Sequence, residues 1–562
     1  MGATLSEQTI VAPEAHAGPG RTPPARGEGA RLPRAMLVAL LLISAAVLAI
    51  QLEVAVRRPG RGLMSFDSAE YAVAGREFAR TGRLATPFVL PSMIRGPAHP
   101  PFPLLLGHPL VPAVEAVLFR LGGARPALTL VPPALAFLAV VWLAALLALR
   151  ASGSAGAGFA AGLALAFAPG ALDFASDGLT ELPFTAFWLL ALLLIAELPE
   201  RPRPAALGIV LGLAHLTRPV LGPLLPVWLC GIGILAPGGR RSRTVGIALA
   251  AFAPFAIALY ALHHAPGQGG LAEPGPIMLL SGLRPDFTPE RIVCMTDLPQ
   301  PWAYVAAHPG ALVRKALGSA SALLSAALGL GSPAVLLLFV LHLVAPAARA
   351  GERRFRGLLV ALWLALFALA CVTLPSVRFL FPMQAAVFAL AVAESHRLAR
   401  ARGLSSRLAV AGSLAVALLV SAYPTAVEWR GAWRAPANSG AVFSESEWRA
   451  LGARLSHALP PETIVASDAA PWVAWYGDRA AVQLPAAPDE LSALTRHLRF
   501  EAIVLTNQWA IWLPWNAPWR SVWRHESMPP GWMLADSVSA GRLHAFVLRR
   551  GVASGAPRGT PH

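Results

Sequence analysis

Long apolar runs separated by short polar connections occupy most of this chain. A run of about 20 apolar residues has the length of a helix that crosses the hydrocarbon core of a bilayer. The pattern predicts a predominantly α-helical, polytopic membrane protein with about eleven transmembrane helices, several of them short. The runs cover residues 35–56, 125–149, 155–171, 181–197, 204–216, 219–236, 244–262, 332–346, 356–374, 378–394 and 407–422.

The composition agrees with this prediction. Of the 562 residues, 56% are hydrophobic and 14% are charged, so the apolar side chains exceed what one soluble core buries. The cysteines Cys230, Cys294 and Cys371 are widely separated, which indicates neither a disulfide framework nor a thiolate metal site.

The distribution of arginine among the connections predicts the orientation of the chain in the membrane, because cytoplasmic connections are enriched in basic residues. With eleven spans the basic connections fall on one side, which predicts a cell-membrane protein with a cytoplasmic N-terminus and residues 423–562 outside. Arg57, Arg58 and Arg61 are exceptions, since this topology places them outside. The connections contain Arg21, Arg26, Arg31 and Arg34; Arg201 and Arg203; Arg240, Arg241 and Arg243; Arg349, Arg353, Arg354 and Arg356; and Arg397, Arg400, Arg402 and Arg407.

The net charge of +16 is therefore mostly a topology signal. No basic face interleaved with aromatic residues stands out in the sequence, so no nucleic-acid partner is predicted.

Three regions are predicted. Residues 1–34, rich in Gly, Pro, Ala and Arg, are expected to form a disordered cytoplasmic tail. Residues 35–422 form the transmembrane module, with a large outer loop at 57–124. Residues 423–562 alternate strand-like and helix-like segments, as in ETIVASDAAPWVAWYGDRAAV, and predict an extracytoplasmic α/β domain. Its tryptophans fit a core, or alternatively a sugar or lipid surface; they are Trp509, Trp512, Trp515 and Trp519.

Two carboxylates stand at the start of the outer loop, in SFDSAEYAVAGREFARTGRL. On a helix, the spacing of Asp67 and Glu70 puts both on one face, where mutual repulsion raises one pKa. The alternative is an acidic helix start, with Asp67 as the cap. Residues 66–82 fit an amphipathic helix at the membrane surface. The five prolines in 99–119 favour a surface-lying or re-entrant element over a regular span.

A second acidic group, Asp173, Asp177 and Glu181, precedes the run at 181–197. Carboxylates of this kind suit a divalent cation, but they equally suit a helix start with Ser176 or Asp177 as the cap. A metal cofactor is left open and no metal ligand is assigned.

Several segments together resemble a known family. They are the D-x-x-x-Y segment ending in TGRL, the following HPPFPLLL, the arginine of GARPAL, GLAHLTRPVLGPLL at 212–225 and SVRFLFPMQAAVFAL at 376–390. Their order along residues 35–425 is similar to that in the dolichyl-phosphate-mannose-protein mannosyltransferases and aminoarabinose transferases. These are polytopic glycosyltransferases of the GT-C architecture.

The resemblance implies transfer of a sugar from a polyprenyl-phosphate donor, on the outer face of the membrane, to a lipid, glycan or protein acceptor. A carboxylate base deprotonates the acceptor hydroxyl and the displacement inverts the anomeric centre. The resemblance assigns the base to Asp67. Many members carry two adjacent acidic residues, whereas this chain separates Asp67 from Glu70 by two, so the part of Glu70 stays open.

The departing phosphate needs cations more than it needs a general acid. Arginines at the outer membrane boundary meet this need, because a guanidinium grips phosphate oxygens bidentately. Arg125, Arg218 and Arg378 are the candidates. Alternatively, each anchors its helix at the interface.

Two other functional classes were considered. A transporter or flippase of a lipid-linked glycan typically carries ionisable groups in the middle of its spans, whereas the candidates here border the spans. A non-catalytic scaffold leaves Asp67 without a function. The position of the ionisable groups and the presence of Asp67 therefore favour an enzyme over these two classes.

Overall fold

The computed structural model describes residues 32–57, 65–104, 108–264, 271, 274–331, 333–347, 350–434, 443–508 and 518–551. The predicted tail, apart from residues 32–34, lies outside the described residues. So do three arginines and three tryptophans discussed above: Arg58, Arg61, Arg349, Trp509, Trp512 and Trp515.

Every predicted apolar run is helical, so the predominantly α architecture is confirmed. The helices of the N-terminal part are α1 (Arg34–Arg57), α2 (Phe66–Thr81), α3 (Leu110–Gly122), α4 (Val131–Ser152), α5 (Ala155–Ala166), α6 (Pro169–Ala175), α7 (Glu181–Glu197), α8 (Pro204–Thr217), α9 (Leu221–Leu235), α10 (Arg241–His263), α11 (Pro274–Ile277), α12 (Pro289–Cys294), α13 (Pro301–Ala307), α14 (Pro309–Gly331), α15 (Pro333–Val344), α16 (Ala350–Val372), α17 (Phe381–Ala401) and α18 (Ser406–Arg434).

The count of eleven spans is not confirmed. Within the described part of the chain, six helices are long and apolar enough to cross a membrane, or up to seven if the bent pair α5 and α6 is one span. These two helices meet at 60°. The helices at 204–217, 221–235 and 333–344 are apolar but shorter. Six such helices still indicate a protein that crosses the membrane several times.

Two differences from the predicted runs concern helices. Between the runs predicted at 244–262 and 332–346 lies α14, a 23-residue helix that the hydropathy pattern did not reveal. The change of domain predicted after residue 422 lies within α18, which continues to Arg434.

The described residues of the outer loop contain no regular span, in agreement with the prediction from its prolines. Short strands β1 (Ala85–Thr86) and β3 (Phe102–Pro103) pair antiparallel, and the proline-rich segment ends in the 13-residue helix α3. Helix α2 is bounded by the cap Ser65 and by Gly82, whose φ of 72° suits the left-handed end of a helix. Its residues 68–75 are buried, so α2 is packed within protein rather than lying free on the membrane surface.

The C-terminal region is the predicted α/β domain. Its six-stranded sheet has the order β2-β5-β4-β6-β8-β7, with β2, β5, β4 and β6 parallel and the hairpin β7–β8 antiparallel at one edge. The remaining elements are β4 (Val465–Ser467), β5 (Ala481–Gln483), β6 (Ala502–Thr506), β7 (Trp532–Ala540) and β8 (Leu543–Arg550), with α19 (Glu445–Ala458), α20 (Ala470–Tyr476), α21 (Leu491–His497) and α22 (Arg520–Trp523).

One edge strand of this sheet comes from the outer loop. Strand β2 (Phe88–Val89) pairs with β5, so a segment that follows the first span completes the sheet of the C-terminal domain. Phe88 and Phe102 of the loop share a hydrophobic core with Trp448 and Leu505 of the domain. Trp519 belongs to the same core, as predicted, and its indole N–H donates to the carbonyl of Pro485. The loop and the domain therefore form one structural unit.

Helices α8 and α10 approach closely at Gly208, and this contact provides a test of the packing. A Cβ atom at Gly208 would lie 2.1 Å from the carbonyl oxygen of Ala248, whereas one at Gly246 meets nothing within 4 Å. We expect Gly208→Ala to destabilise the protein by about 1–3 kcal/mol, because two backbones must move apart. Gly246→Ala is the matched control. Thermal unfolding in detergent measures both, and equal melting temperatures contradict this packing.

Candidate active site

The first turn of α2 carries Asp67, and a polar contact fixes its position. Ser65 caps the helix, since its hydroxyl accepts from the backbone N–H of Ser68. The backbone N–H of Ser65 in turn donates to Asp177 over 3.1 Å, which ties the start of α2 to the connection between α6 and α7. The cap is therefore Ser65, and the side chain of Asp67 is left for other contacts.

Arg378 joins Asp67 to a second carboxylate. Its Nη2 donates to Asp67 over 2.7 Å and its Nε donates to Glu181 over 2.5 Å. Arg378 lies at the start of the span Val377–Ala401, and Glu181 is the first residue of α7. In the sequence, Arg378 lies 311 residues after Asp67 and 197 residues after Glu181.

Glu181 also pairs with Arg218, the residue that ends α8. The distance from Arg218 Nη1 to Glu181 Oε1 is 3.0 Å, and the Arg218 guanidinium lies 4.8 Å from the ring centre of Phe379. A carboxylate at a helix start and a guanidinium at a helix end both complement the helix dipole. One oxygen of Glu181 thus holds two guanidinium groups close together.

These four side chains, Asp67, Glu181, Arg218 and Arg378, form a charge cluster that is open on one side. Glu181 is fully buried and the Arg218 side chain is 6% exposed, whereas Asp67 and Arg378 are 38% and 32% exposed. A substrate therefore has access to Asp67 and Arg378 first. Arg378 uses its Nε and Nη2 in the two ion pairs, which leaves Nη1 for another anion.

Glu70 occupies a different environment from Asp67. It is buried, and its Oε1 has no hydrogen-bond partner among the described residues. Burial, reinforced by the negative charge of Asp67, raises the pKa of Glu70 well above its ordinary value. The sequence predicted that repulsion raises one pKa of this pair, and the structure identifies Glu70 as that residue.

His108 lies beside α2 and was not anticipated from sequence. Its ring contacts that of Tyr71 edge to face at 5.5 Å, and its Nδ1–H donates to the carbonyl of Thr217 over 2.8 Å. Burial, with a further contribution from Arg218, lowers the pKa of His108 to about 4. The imidazole is therefore neutral at pH 7, with its lone pair on Nε2.

The ion pairs of the charge cluster include Arg218 and Arg378 but not Arg125. Arg125 is exposed, and none of the salt bridges among the described residues includes it. The cap of α7 is Thr180, not Ser176 or Asp177. Within the described ranges, no three His, Cys, Asp or Glu side chains converge as metal ligands.

The pairing of Glu181 with two arginines was not predicted from sequence, because a glutamate at this position is typical of an ordinary helix start. A signal was available, since Glu181, Arg218 and Arg378 all border apolar runs. Charges of opposite sign at ends of spans on one side of a membrane are expected to pair.

Comparison with known proteins agrees with this architecture. The sequence profile of the family described as dolichyl-phosphate-mannose-protein mannosyltransferase matches residues 99–264. The fold is similar to the crystal structure of ArnT from Cupriavidus metallidurans bound to undecaprenyl phosphate, with 14% identity, a TM-score of 0.55 and coverage of 93% of this chain and 99% of that chain. The chain has the GT-C fold, and the family match together with this fold indicates a glycosyltransferase.

The apo structure of the same ArnT is also similar to this glycosyltransferase, with 13% identity, a TM-score of 0.51 and coverage of 92% of this chain and 98% of that chain. At such identities the structural likeness shows a shared fold. No curated protein matches the chain by sequence. The GT-C fold and the glycosyltransferase class predicted from sequence are confirmed.

The environment of Glu70 predicts a pH dependence of stability. Between its ordinary pKa near 4.5 and its raised value in the folded protein, the folded glycosyltransferase holds a proton that the unfolded chain has released. The free energy of unfolding therefore falls as the pH rises through this window. We expect Glu70→Gln to make the fall less steep, because the amide is neutral throughout. Thermal unfolding from pH 4.5 upward measures the slope. Glu462→Gln, at an exposed carboxyl, is the control, and an unchanged slope in Glu70→Gln contradicts the prediction.

Proposed function

We propose that this glycosyltransferase moves a sugar from a polyprenyl-phosphate donor to an acceptor hydroxyl at the charge cluster, on the extracytoplasmic face of the membrane. The observation that carries the proposal is the 2.7 Å contact between Asp67 and Arg378. It brings the candidate base next to the candidate phosphate ligand. The ArnT structure with undecaprenyl phosphate supports this donor class, and the arginine distribution supports the orientation.

In the proposed reaction the donor phosphate lies against Arg378, with Arg218 behind it. The acceptor oxygen attacks the anomeric carbon, the bond from that carbon to the phosphate oxygen breaks, and the polyprenyl phosphate leaves with the electron pair. Arg378 and Arg218 stabilise the charge that develops on the leaving group. Glu181 offsets the repulsion between the two guanidinium groups, so both stay in place before the donor binds.

Asp67 accepts the proton of the acceptor hydroxyl, and attack from the face opposite the phosphate inverts the anomeric centre. Its exposure gives the acceptor access, whereas Glu70 is buried and its pKa is raised by burial. We therefore assign the base to Asp67 and a supporting position to Glu70. Arg125, which is exposed and belongs to none of these ion pairs, keeps its proposed role as a contact to the donor.

Asp67→Asn tests the base directly. The amide keeps the size of the side chain but does not accept the proton, so we expect kcat to fall by about 100- to 10,000-fold with the fold retained. Transfer from labelled polyprenyl-phosphate sugars by purified protein in detergent provides the measurement. Glu77→Gln removes a carboxylate from the same helix outside the cluster and is the matched control. Transfer at the normal rate by the folded Asp67→Asn variant contradicts the assignment of Asp67 as the base.

Arg378→Lys tests the phosphate contact. Lysine keeps the charge but lacks the planar fork that reaches Asp67 and Glu181 together. We expect kcat/KM for the donor to fall by about 10- to 100-fold, as for the loss of charge-assisted hydrogen bonds. Arg284→Lys, at an exposed arginine paired with Asp286, is the comparison. If both variants behave alike, Arg378 does not hold the phosphate.

A further inference from the structure

His108 lies between α2 and the end of α8. It directly precedes Pro109, the residue that caps α3. On one side, its ring packs edge to face against that of Tyr71, with 5.5 Å between the ring centres and an angle of 74° between the planes. On the other side, its Nδ1–H donates to the carbonyl of Thr217 over 2.8 Å. A single side chain of the outer loop therefore joins the two helices.

Both neighbours of His108 lead to the charge cluster. Tyr71 follows Asp67 by four residues on α2, so these two side chains lie on the same face of that helix. Thr217 is the last residue of α8 and directly precedes Arg218 in the chain. His108 is therefore close to the candidate base through α2, and it is one peptide bond removed from a candidate phosphate ligand.

The bond from His108 satisfies a carbonyl group at the end of α8, where helical carbonyls lack partners within the helix. Nearby, the backbone N–H of Arg218 donates to the carbonyl of Ala214 over 2.8 Å. The carbonyl of Thr217 accepts from the imidazole instead. Arg218 has extended backbone angles, φ −150° and ψ 116°, so the chain leaves the helical path at this residue. The hydrogen bond thus fixes the peptide group from which the Arg218 side chain departs.

The imidazole is a donor that adds no charge to the cluster. Burial, with a further contribution from Arg218, lowers the pKa of His108 to about 4, so the ring is neutral at pH 7. The cluster already holds two guanidinium groups close together around Glu181. A cationic side chain in place of the imidazole adds to their repulsion. A neutral donor fixes the backbone without this repulsion.

We propose that His108 is a positioning residue, which holds Arg218 in place through the carbonyl of Thr217 so that the guanidinium stabilises the leaving phosphate. This inference rests on the proposed transfer reaction and adds to it a residue outside the charge cluster. Without the hydrogen bond, the end of α8 is free to turn and the guanidinium moves away from the phosphate. The contact between Asp67 and Arg378 stays in place, because neither residue depends on α8.

Binding of undecaprenyl phosphate tests the proposal without catalysis. This probe belongs to the class of the leaving group in the proposed reaction, so neither the sugar nor the acceptor needs to be known. Asparagine places an amide N–H near the position of the imidazole Nδ1–H, whereas glutamine places its amide near Nε2. We expect His108→Asn to bind the probe like the unmodified protein. We expect His108→Gln to raise the dissociation constant by about tenfold or more, the scale of one charge-assisted hydrogen bond.

A double-mutant cycle tests whether His108 acts through Arg218. Arg218→Gln alone is expected to raise the dissociation constant by about tenfold or more. Adding His108→Gln to it is expected to cause no further loss, because the guanidinium that His108 positions is already absent. His308→Gln is the matched control, since His308 is exposed and its Nδ1–H also donates to a backbone carbonyl, that of Tyr304. We expect this variant to bind like the unmodified protein.

The measurements use full-length protein in detergent, with isothermal titration calorimetry for binding and thermal unfolding to establish that each variant is folded. Loss in His108→Gln, retention in His108→Asn and no further loss in the double variant support the proposal. Equal losses in the Asn and Gln variants, additive losses in the cycle, or normal binding by His108→Gln overturn it. This binding pattern in a protein that transfers no sugar contradicts the transfer reaction and leaves the positioning role intact. Normal transfer by folded His108→Gln contradicts the positioning role alone.

Discussion

The buried carboxylate of Glu181 is the interaction on which the rest of the site depends. Two guanidinium groups so close together repel one another, and the interior offers little water to screen them. Glu181 accepts from both Arg378 and Arg218 through one oxygen. Through Arg378 the same ion pairs reach Asp67 on α2, so one buried residue orients groups from three other parts of the chain.

This arrangement explains why the two carboxylates of α2 behave differently. Asp67 faces a guanidinium and keeps solvent access, whereas Glu70, one turn later, is enclosed by protein next to a negative neighbour. Burial and repulsion act together on Glu70 and favour its neutral form. A single helix therefore presents one solvent-accessible acid and one buried acid, and their sequence spacing alone does not say which is which.

The sequence predicted what depends on local pattern and missed what depends on distant contacts. The apolar runs, the helix at Asp67 and the strand–helix–strand segment near Val465 follow from composition and periodicity, and all are present. Helix α14 was not predicted because Arg314 and Lys315, together with many small residues, lower its mean hydropathy. Strand β2 has two residues and leaves no periodic signal, and the pairing of Glu181 with Arg378 joins helices far apart in sequence.

The edge strand β2 has a consequence for how this protein is made. The ribosome delivers residues 88–89 soon after the first helix, but their partner strand at 481–483 emerges hundreds of residues later. Until then, the backbone N–H and C=O groups of that strand lack their final partners, a state that invites wrong pairing. The sheet is therefore completed only when the C-terminal domain docks onto the loop that follows the first helix, and a chain cut short before strand β5 leaves helix α2 without the wall against which it packs.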